Sequence, residues 1–181
     1  MKHVLFLLLF AAQLSAQVAG LVKGVHDGDT YWIEVRNERW VPGPDTGFIK
    51  EVKVVRELVR IEGVGTPELY WPGVITKAQP LGREVGDSVR WMIKGKPVSL
   101  DTFGRDQYGR LLCRIRLEDG RDLAEIILSK GWGWYSKNDL DKPTRRRYQH
   151  IRNKAKNKKL GVHLAGGPDD NEWRKTHKPG R

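Results

Sequence analysis

The chain has 181 residues, 39% of them hydrophobic and 30% charged, with a formal net charge of +11 and a pI of about 9.9. This length holds one domain with a real core, and the composition excludes a disordered chain. A single cysteine, Cys113, excludes an internal disulfide, and the strong positive charge directs attention to polyanions.

Residues 1–16 read as a signal peptide. Lys2 and His3 precede the apolar run Val4–Ala12, and small residues follow at Ser15 and Ala16, the layout of a secretory leader cleaved after Ala16. The competing reading is an uncleaved anchor, but the run is short for a membrane-spanning helix. Export to a periplasm or outside the cell is therefore expected, with no stable membrane association after cleavage.

Residues 17–165 read as one domain. From Gly20 to about Val35, two strands meet around Asp27-Gly28-Asp29, with Tyr31, Ile33 and Val35 alternating against Thr30, Trp32 and Glu34. Pro42, Gly43, Pro44 and Gly47 make 37–50 a loop or an irregular hairpin. Valine-rich 51–64 gives one or two further strands. Pro80 suits the first turn of a helix carrying Val85, Val89, Met92 and Ile93 on one face and ending at Gly95. Residues 97–101 and 110–117 read as strands, and Cys113 in the second as a buried, inert thiol. Leu123, Ile126, Ile127 and Leu128 mark a second helix. Residues 141–160 form a third, with Tyr148, Ile151 and Ala155 inward and Gly161 as its cap. The remainder, 166–181, reads as a polar C-terminal tail that Trp173 can dock. The fold class is α+β, mainly a β barrel: five strands of the OB type with about three packed helices.

Three short motifs carry the chemistry. Asp27-Gly28-Asp29-Thr30 is a common hairpin signal, but two carboxylates flanking a glycine also suit a divalent ion. Arg60 closes a valine-rich strand, where its guanidinium is either solvated or a bidentate phosphate clamp. Thr66-Pro67-Glu68 then leaves the strand in an extended turn. Asp106-Gln107-Tyr108-Gly109-Arg110 is a turn into a strand or a second arginine for the same cleft.

In order and spacing, these motifs resemble those of the staphylococcal nuclease family, over about Gly20–Leu164. The resemblance implies an OB-fold barrel with three helices. It also implies calcium-dependent hydrolysis of DNA and RNA, single-stranded or denatured, to 3′-phosphate ends by a monomer. By position, Asp29 is implied as a Ca2+ ligand, with a further oxygen from Thr66. Arg60 and Arg110 are implied to grip the phosphate, and Glu68 to orient or deprotonate the attacking water. Tyr135, with Trp134 beside it, is implied as a base-stacking platform.

One expected group is missing. The family's second calcium carboxylate falls at Gly65, while Thr66, Pro67 and Glu68 keep their register. Glu62 is a neighbouring carboxylate that could turn in. From Lys142 to Lys159 there are nine Lys or Arg and no acid, Arg145 and Arg146 among them. Such a run is either a solvated face or a salt-sensitive nucleic-acid contact. Three readings follow: a secreted, sugar-nonspecific nuclease; an exported OB-fold protein that binds nucleic acid without cutting it; or a basic protein that holds acidic glycan or lipid, against which the Arg60/Arg110 pairing argues.

Overall fold

The computed structural model describes residues 18–45, 47–136 and 140–178; the leader expected at 1–16 lies outside them. In chain order the elements are β1 (Val18–Val25), β2 (Thr30–Pro42), β3 (Phe48–Ile61), β4 (Val64–Gly65), α1 (Gly82–Ile93), β5 (Pro97–Arg105), β6 (Leu111–Leu117), α2 (Leu123–Lys130), β7 (Trp134–Tyr135), α3 (Lys142–Asn157), α4 (Val162–Ala165) and α5 (Asp170–Thr176). The five longer strands close into a barrel in the order β1-β2-β3-β6-β5, and β4 pairs separately with β7. All barrel pairings are antiparallel except the parallel β3–β6 contact at Val59–Ile61. Closure removes free sheet edges.

The alternation read from the sequence holds where the barrel has an inside. Tyr31, Ile33 and Val35 are buried, as are Val22, Val59, Ile61, Leu100, Cys113 and Ile115 from the other strands. Helices close the barrel with Val89 and Ile93 of α1, Leu123, Ile127 and Leu128 of α2, and Tyr148 of α3. Burial pushes the Cys113 thiol up to about 12, which makes it the inert core group expected. Tyr148 also anchors a polar contact, its hydroxyl donating to Asp122 Oδ2 at 2.8 Å. Asp122 in turn caps α2 by accepting from Ala124 N.

Several boundaries differ from the sequence reading. Of the two readings of 37–50, the structure bears out the hairpin: β2 and β3 pair without interruption from Thr30↔Arg60 to Pro42↔Phe48. Its outer half pairs only with itself, since β1 reaches β2 only as far as Val35. Helix α1 begins at Gly82, two residues past Pro80, and α3 ends at Asn157. Lys159 then takes a left-handed φ of 52°, and Gly161 precedes α4 instead of capping α3. Beyond the three longer helices, the polar tail itself folds, because Asp169 caps α5 by accepting from Glu172 N at 2.9 Å. No helix among the described residues is long and apolar enough to cross a membrane.

Candidate active site

The first two motifs meet at Asp29, which is only 2% exposed at the start of β2. Its Oδ1 accepts from Arg60 Nη1 at 2.5 Å and from Thr30 Oγ1 at 3.0 Å. Its Oδ2 accepts from the Thr66 amide at 2.9 Å. Asp27 turns the other way: its Oδ1 accepts from Asp29 N at 3.1 Å, and Oδ2 lies 3.2 Å from His26 Nδ1. Gly28 between them has no left-handed φ. A Cβ there would stand 2.7 Å from both Thr66 Oγ1 and a Val85 methyl. The glycine therefore serves close packing, not a simple hairpin turn.

The third motif arrives on the same cleft. Asp106 orders its own turn by accepting from Tyr108 N and Arg110 N, and its Oδ2 pairs with Arg110 Nε at 2.7 Å. Arg110 Nη1 reaches Thr30 Oγ1 at 3.5 Å, one residue from Asp29. Arg60, Asp106, Tyr108 and Arg110 line one open cleft together with Asp170 and Arg174 of α5.

Glu68 is buried behind that cleft, and the C-terminal tail holds it. Arg174 Nε donates to Glu68 Oε1 at 2.6 Å and Arg174 Nη2 lies 2.5 Å from the same oxygen. The buried amide of Gln79 bridges the two segments: its Oε1 accepts from Glu68 N at 3.1 Å and its Nε2 donates to Pro168 O at 2.7 Å. Trp173 docks the helix as expected, its Nε1 donating to Lys77 O at 3.0 Å. Its ring stacks on His177 at 3.7 Å.

At Gly65 the tail does something the sequence did not announce. A Cβ on Gly65 would lie 2.5 Å from Asp170 Oδ2 and 2.6 Å from both Cγ and Oδ1 of Asp170. The Asp170 carboxylate, not Glu62, fills the space where a side chain on residue 65 would grow. Gly65 has no left-handed φ either, so crowding rather than backbone strain is what a larger residue would meet.

Electrostatically the hollow is rich in acid. Four carboxylates, Asp27, Asp29, Glu68 and Asp170, act on one another around two guanidiniums, Arg60 and Arg174. Burial pushes the Asp29 carboxyl up to about 7 against the pull of Arg60. Burial also raises Glu68 and Asp170 above the ordinary carboxylate range, with Arg174 and Arg60 opposing it. Burial works to raise Asp27 too, but the hydrogen bond and charge of His26 outweigh it and hold Asp27 low. Burial disfavours the charge on Arg60, and Asp29 and its acidic neighbours more than compensate.

An excess of two carboxylates over guanidiniums suits a divalent ion, which prefers charged oxygen ligands. Asp29 and Thr66, the residues expected to hold such an ion, are joined by the bond from the Thr66 amide to Asp29 Oδ2. Among the described residues, however, no group of three or more His, Cys, Asp or Glu is gathered to hold one, and Asp29 is taken up by Arg60.

The other residues expected to contact nucleic acid do not line this cleft, although Trp134 pairs with Gly65 and Tyr135 with Val64. Trp134 and Tyr135 of β7 are half-buried and line a separate cavity of about 320 Å³ with Arg152, Lys156 and Asp169. Arg145 is half-buried, its Nη2 donating to Leu140 O at 3.2 Å, while Arg146 is exposed. The aromatic on the arginine cleft is Tyr108, 68% exposed, with the Arg110 guanidinium 5.3 Å from its ring centre.

A closed five-stranded barrel capped by helices, with arginines and buried carboxylates brought together at one end, defines the class as an OB-fold protein. The comparisons give that class a family. The model described as "Staphylococcal nuclease homologue" matches residues 58–163, over half the chain, and the chain belongs to this family. It is 29% identical over 149 residues to an uncharacterized endonuclease of Escherichia coli, covering 82% of this chain and 79% of the relative. It is 34% identical over 134 residues to a probable endonuclease of Schizophyllum commune, covering 65% and 44%. A probable staphylococcal-like nuclease of Oryza sativa subsp. japonica is 26% identical over 132 residues, covering 72% and 32%. The matched family span includes Arg60, Glu68 and Arg110 but neither Asp29 nor the α5 residues Asp170 and Arg174.

Proposed function

We propose that the protein is an exported, metal-assisted endonuclease that hydrolyses DNA and RNA phosphodiesters to 3′-phosphate and 5′-hydroxyl ends. The observation that carries this is that Arg60 and Arg110 line one cleft with Asp29 bonded to Arg60 and the charge of Glu68 acting on the same guanidinium, although they come from three separate motifs. A binding surface needs convergent arginines at most; a buried carboxylate beside them adds a proton acceptor.

In this reading the arginines grip the non-bridging phosphate oxygens, where charge gathers in the transition state. Removing one such contact costs about 10²–10³ in rate. Glu68 takes the proton of the attacking water as its oxygen bonds to phosphorus, a role worth roughly 10²–10⁴. Both Arg174 contacts fall on Glu68 Oε1, which leaves Oε2 as the oxygen to receive that proton. The bond from phosphorus to the 5′ oxygen breaks, and that oxygen takes a proton from solvent. A Ca2+ ion held at Asp29 and Thr66 would add positive charge beside the phosphate. Arg60 must then exchange its carboxylate partner for the substrate phosphate, which frees Asp29 as a ligand. The leader at 1–16 supports export, and the chain acts as a monomer on single-stranded or denatured nucleic acid.

The test is digestion of heat-denatured DNA and of RNA by the chain lacking residues 1–16, with Ca2+ or with chelator. Metal-dependent cleavage, abolished in Glu68→Ala, with 3′ ends that phosphatase releases, is expected. Salt-sensitive binding without cleavage under any divalent ion would leave the non-catalytic binder as the correct reading.

A further inference from the structure

We propose that the cavity between β7, α3 and α4 is a phosphate-binding pocket, separate from the arginine cleft, with Arg152, Lys156, Tyr135 and His163 as its donors. The inference stands without the nuclease reading, because none of these residues lines that cleft.

Charge comes first. Arg152 and Lys156 belong to the acid-free run from Lys142 to Lys159. They stand one turn apart on α3, so they share a face of the helix. Both line the cavity of about 320 Å³ together with Tyr135 of β7 and His163 of α4. Burial, and then the charges of Arg152 and Lys156, hold the His163 imidazole below its ordinary range. Basic groups from two helices therefore crowd one another here, an arrangement that an anion relieves.

Unmet hydrogen bonding comes second. Tyr135 Oη, Arg152 Nε and His163 Nε2 are buried and make no hydrogen bond. Such atoms are rare and costly, and these three come from three different elements around one cavity. Water would satisfy them singly. A phosphate offers acceptor oxygens to all three and neutralises the cations as well. The rim agrees with this. Gly166 and Gly167 line the same cavity, and a Cβ on either would meet nothing within 4 Å, so the backbone there is open to a ligand's approach.

One acid, Asp169, also lines the pocket, and its Oδ1 accepts from Glu172 N as the cap of α5. A carboxylate beside an anion repels it, unless the anion brings a proton to donate. Inorganic phosphate carries one near neutral pH, and a phosphate monoester does so in part, with its second pKa near 6. Sulfate carries none. Asp169 therefore gives the pocket a preference for phosphate over sulfate.

The test titrates inorganic phosphate, sulfate, a nucleoside 3′-monophosphate and the bare nucleoside into the chain lacking residues 1–16, without divalent metal, near pH 6.5. Calorimetry gives the affinities, and the ring resonances of His163 report this pocket rather than the arginine cleft. Phosphate should shift those resonances and bind more tightly than sulfate. Arg152→Gln should weaken phosphate binding by about tenfold or more, and Tyr135→Phe, which removes only the hydroxyl, by roughly threefold. Asp169→Asn keeps a good cap for α5 and should narrow the gap between sulfate and phosphate, a change that a merely structural aspartate would not make. Melting curves identify folded variants; Arg152→Lys, which keeps the charge and loses the Nε donor, replaces Arg152→Gln if that one is unfolded. A monophosphate that binds more tightly than inorganic phosphate identifies a nucleotide or strand end as the source, and the reverse order identifies the free ion; either supports the pocket. Phosphate that leaves His163 unmoved, that binds no better than sulfate, or that binds the Arg152 and Tyr135 variants as it binds wild type overturns the inference and leaves the endonuclease proposal untouched.

Discussion

Replacing Arg174 with alanine separates the two things its guanidinium does for Glu68: holding it in place and easing its ionisation. A hydrogen bond to a charged group contributes roughly 1.5–3 kcal/mol, and removing one partner of a fully buried pair costs about 3–5 kcal/mol. Here the Arg174 side chain is 26% exposed and that of Glu68 9%, so the lower range applies. A loss of about 2 kcal/mol corresponds to a melting temperature lower by about 4–8 °C in a chain of this size. Circular dichroism in chelator measures it. The second effect has a definite sign. Burial raises Glu68 and Arg174 pulls it back, so without the arginine the carboxyl ionises at higher pH. The acid limb of kcat/KM on denatured DNA then moves upward. Arg174→Lys keeps the charge but loses the two-nitrogen grip, so its acid limb should stay near wild type while its melting temperature falls part of the way. An Arg174→Ala chain whose acid limb and melting temperature both match wild type would refute the reasoning.

Three further outcomes are expected. Asp29 is raised from 3.8 to about 7; the folded chain holds a proton there that the unfolded chain has lost. Its contribution to stability therefore declines as pH rises from about 4 to 7. His26, raised above 6.5 mainly by its hydrogen bond to Asp27, works in the same direction: its contribution is complete below 6.5 and lost above. The metal-free chain should melt higher at pH 5.5 than at pH 7.5, and Asp29→Asn should narrow that gap; an equal gap in both would exclude Asp29 as its source. Tyr108→Ala should raise KM for single-stranded substrate by roughly 5- to 150-fold, the equivalent of ~1–3 kcal/mol of stacking. Tyr135→Ala, in the separate cavity, should raise it far less; the reverse order would return the stacking role to β7. Lys175 and Lys178 line the cleft beside Arg174, and replacing both with glutamine should lower the slope of log affinity against log salt by about 1.4 for a single strand. An unchanged slope would place the substrate backbone elsewhere.

The barrel was legible because its signals are local and periodic. Tyr31, Ile33 and Val35 must alternate to fill a barrel interior, and Gly131 with a left-handed φ of 67° ends α2 where the pattern stops. The boundaries that shifted are those set by tertiary contact. The breakers Pro42, Gly43, Pro44 and Gly47 left loop and hairpin both open, and the pairing of β2 with β3 as far as Pro42↔Phe48 decides for the hairpin.

The site divides along the same line. Asp29, Arg60 and Arg110 were legible as motif members, and the structure brings them to one cleft through Thr30. Asp170 and Arg174 were not, because nothing in a polar stretch distinguishes two charged residues that dock from two that are solvated; only Trp173 marked the tail as able to bind. Gly65 shows the limit most clearly. Read along the chain, it is a subtraction from the site, and it favours a protein that binds without cutting. In space, a Cβ at 65 would overlap the Asp170 carboxylate, so the glycine is the condition for a carboxylate to be there at all. A motif records which residues are neighbours in sequence, whereas a cation responds only to which oxygens surround it. The missing charge at position 65 is therefore a statement about the motif, and metal-dependent cleavage by the wild-type chain decides whether it is one about the site.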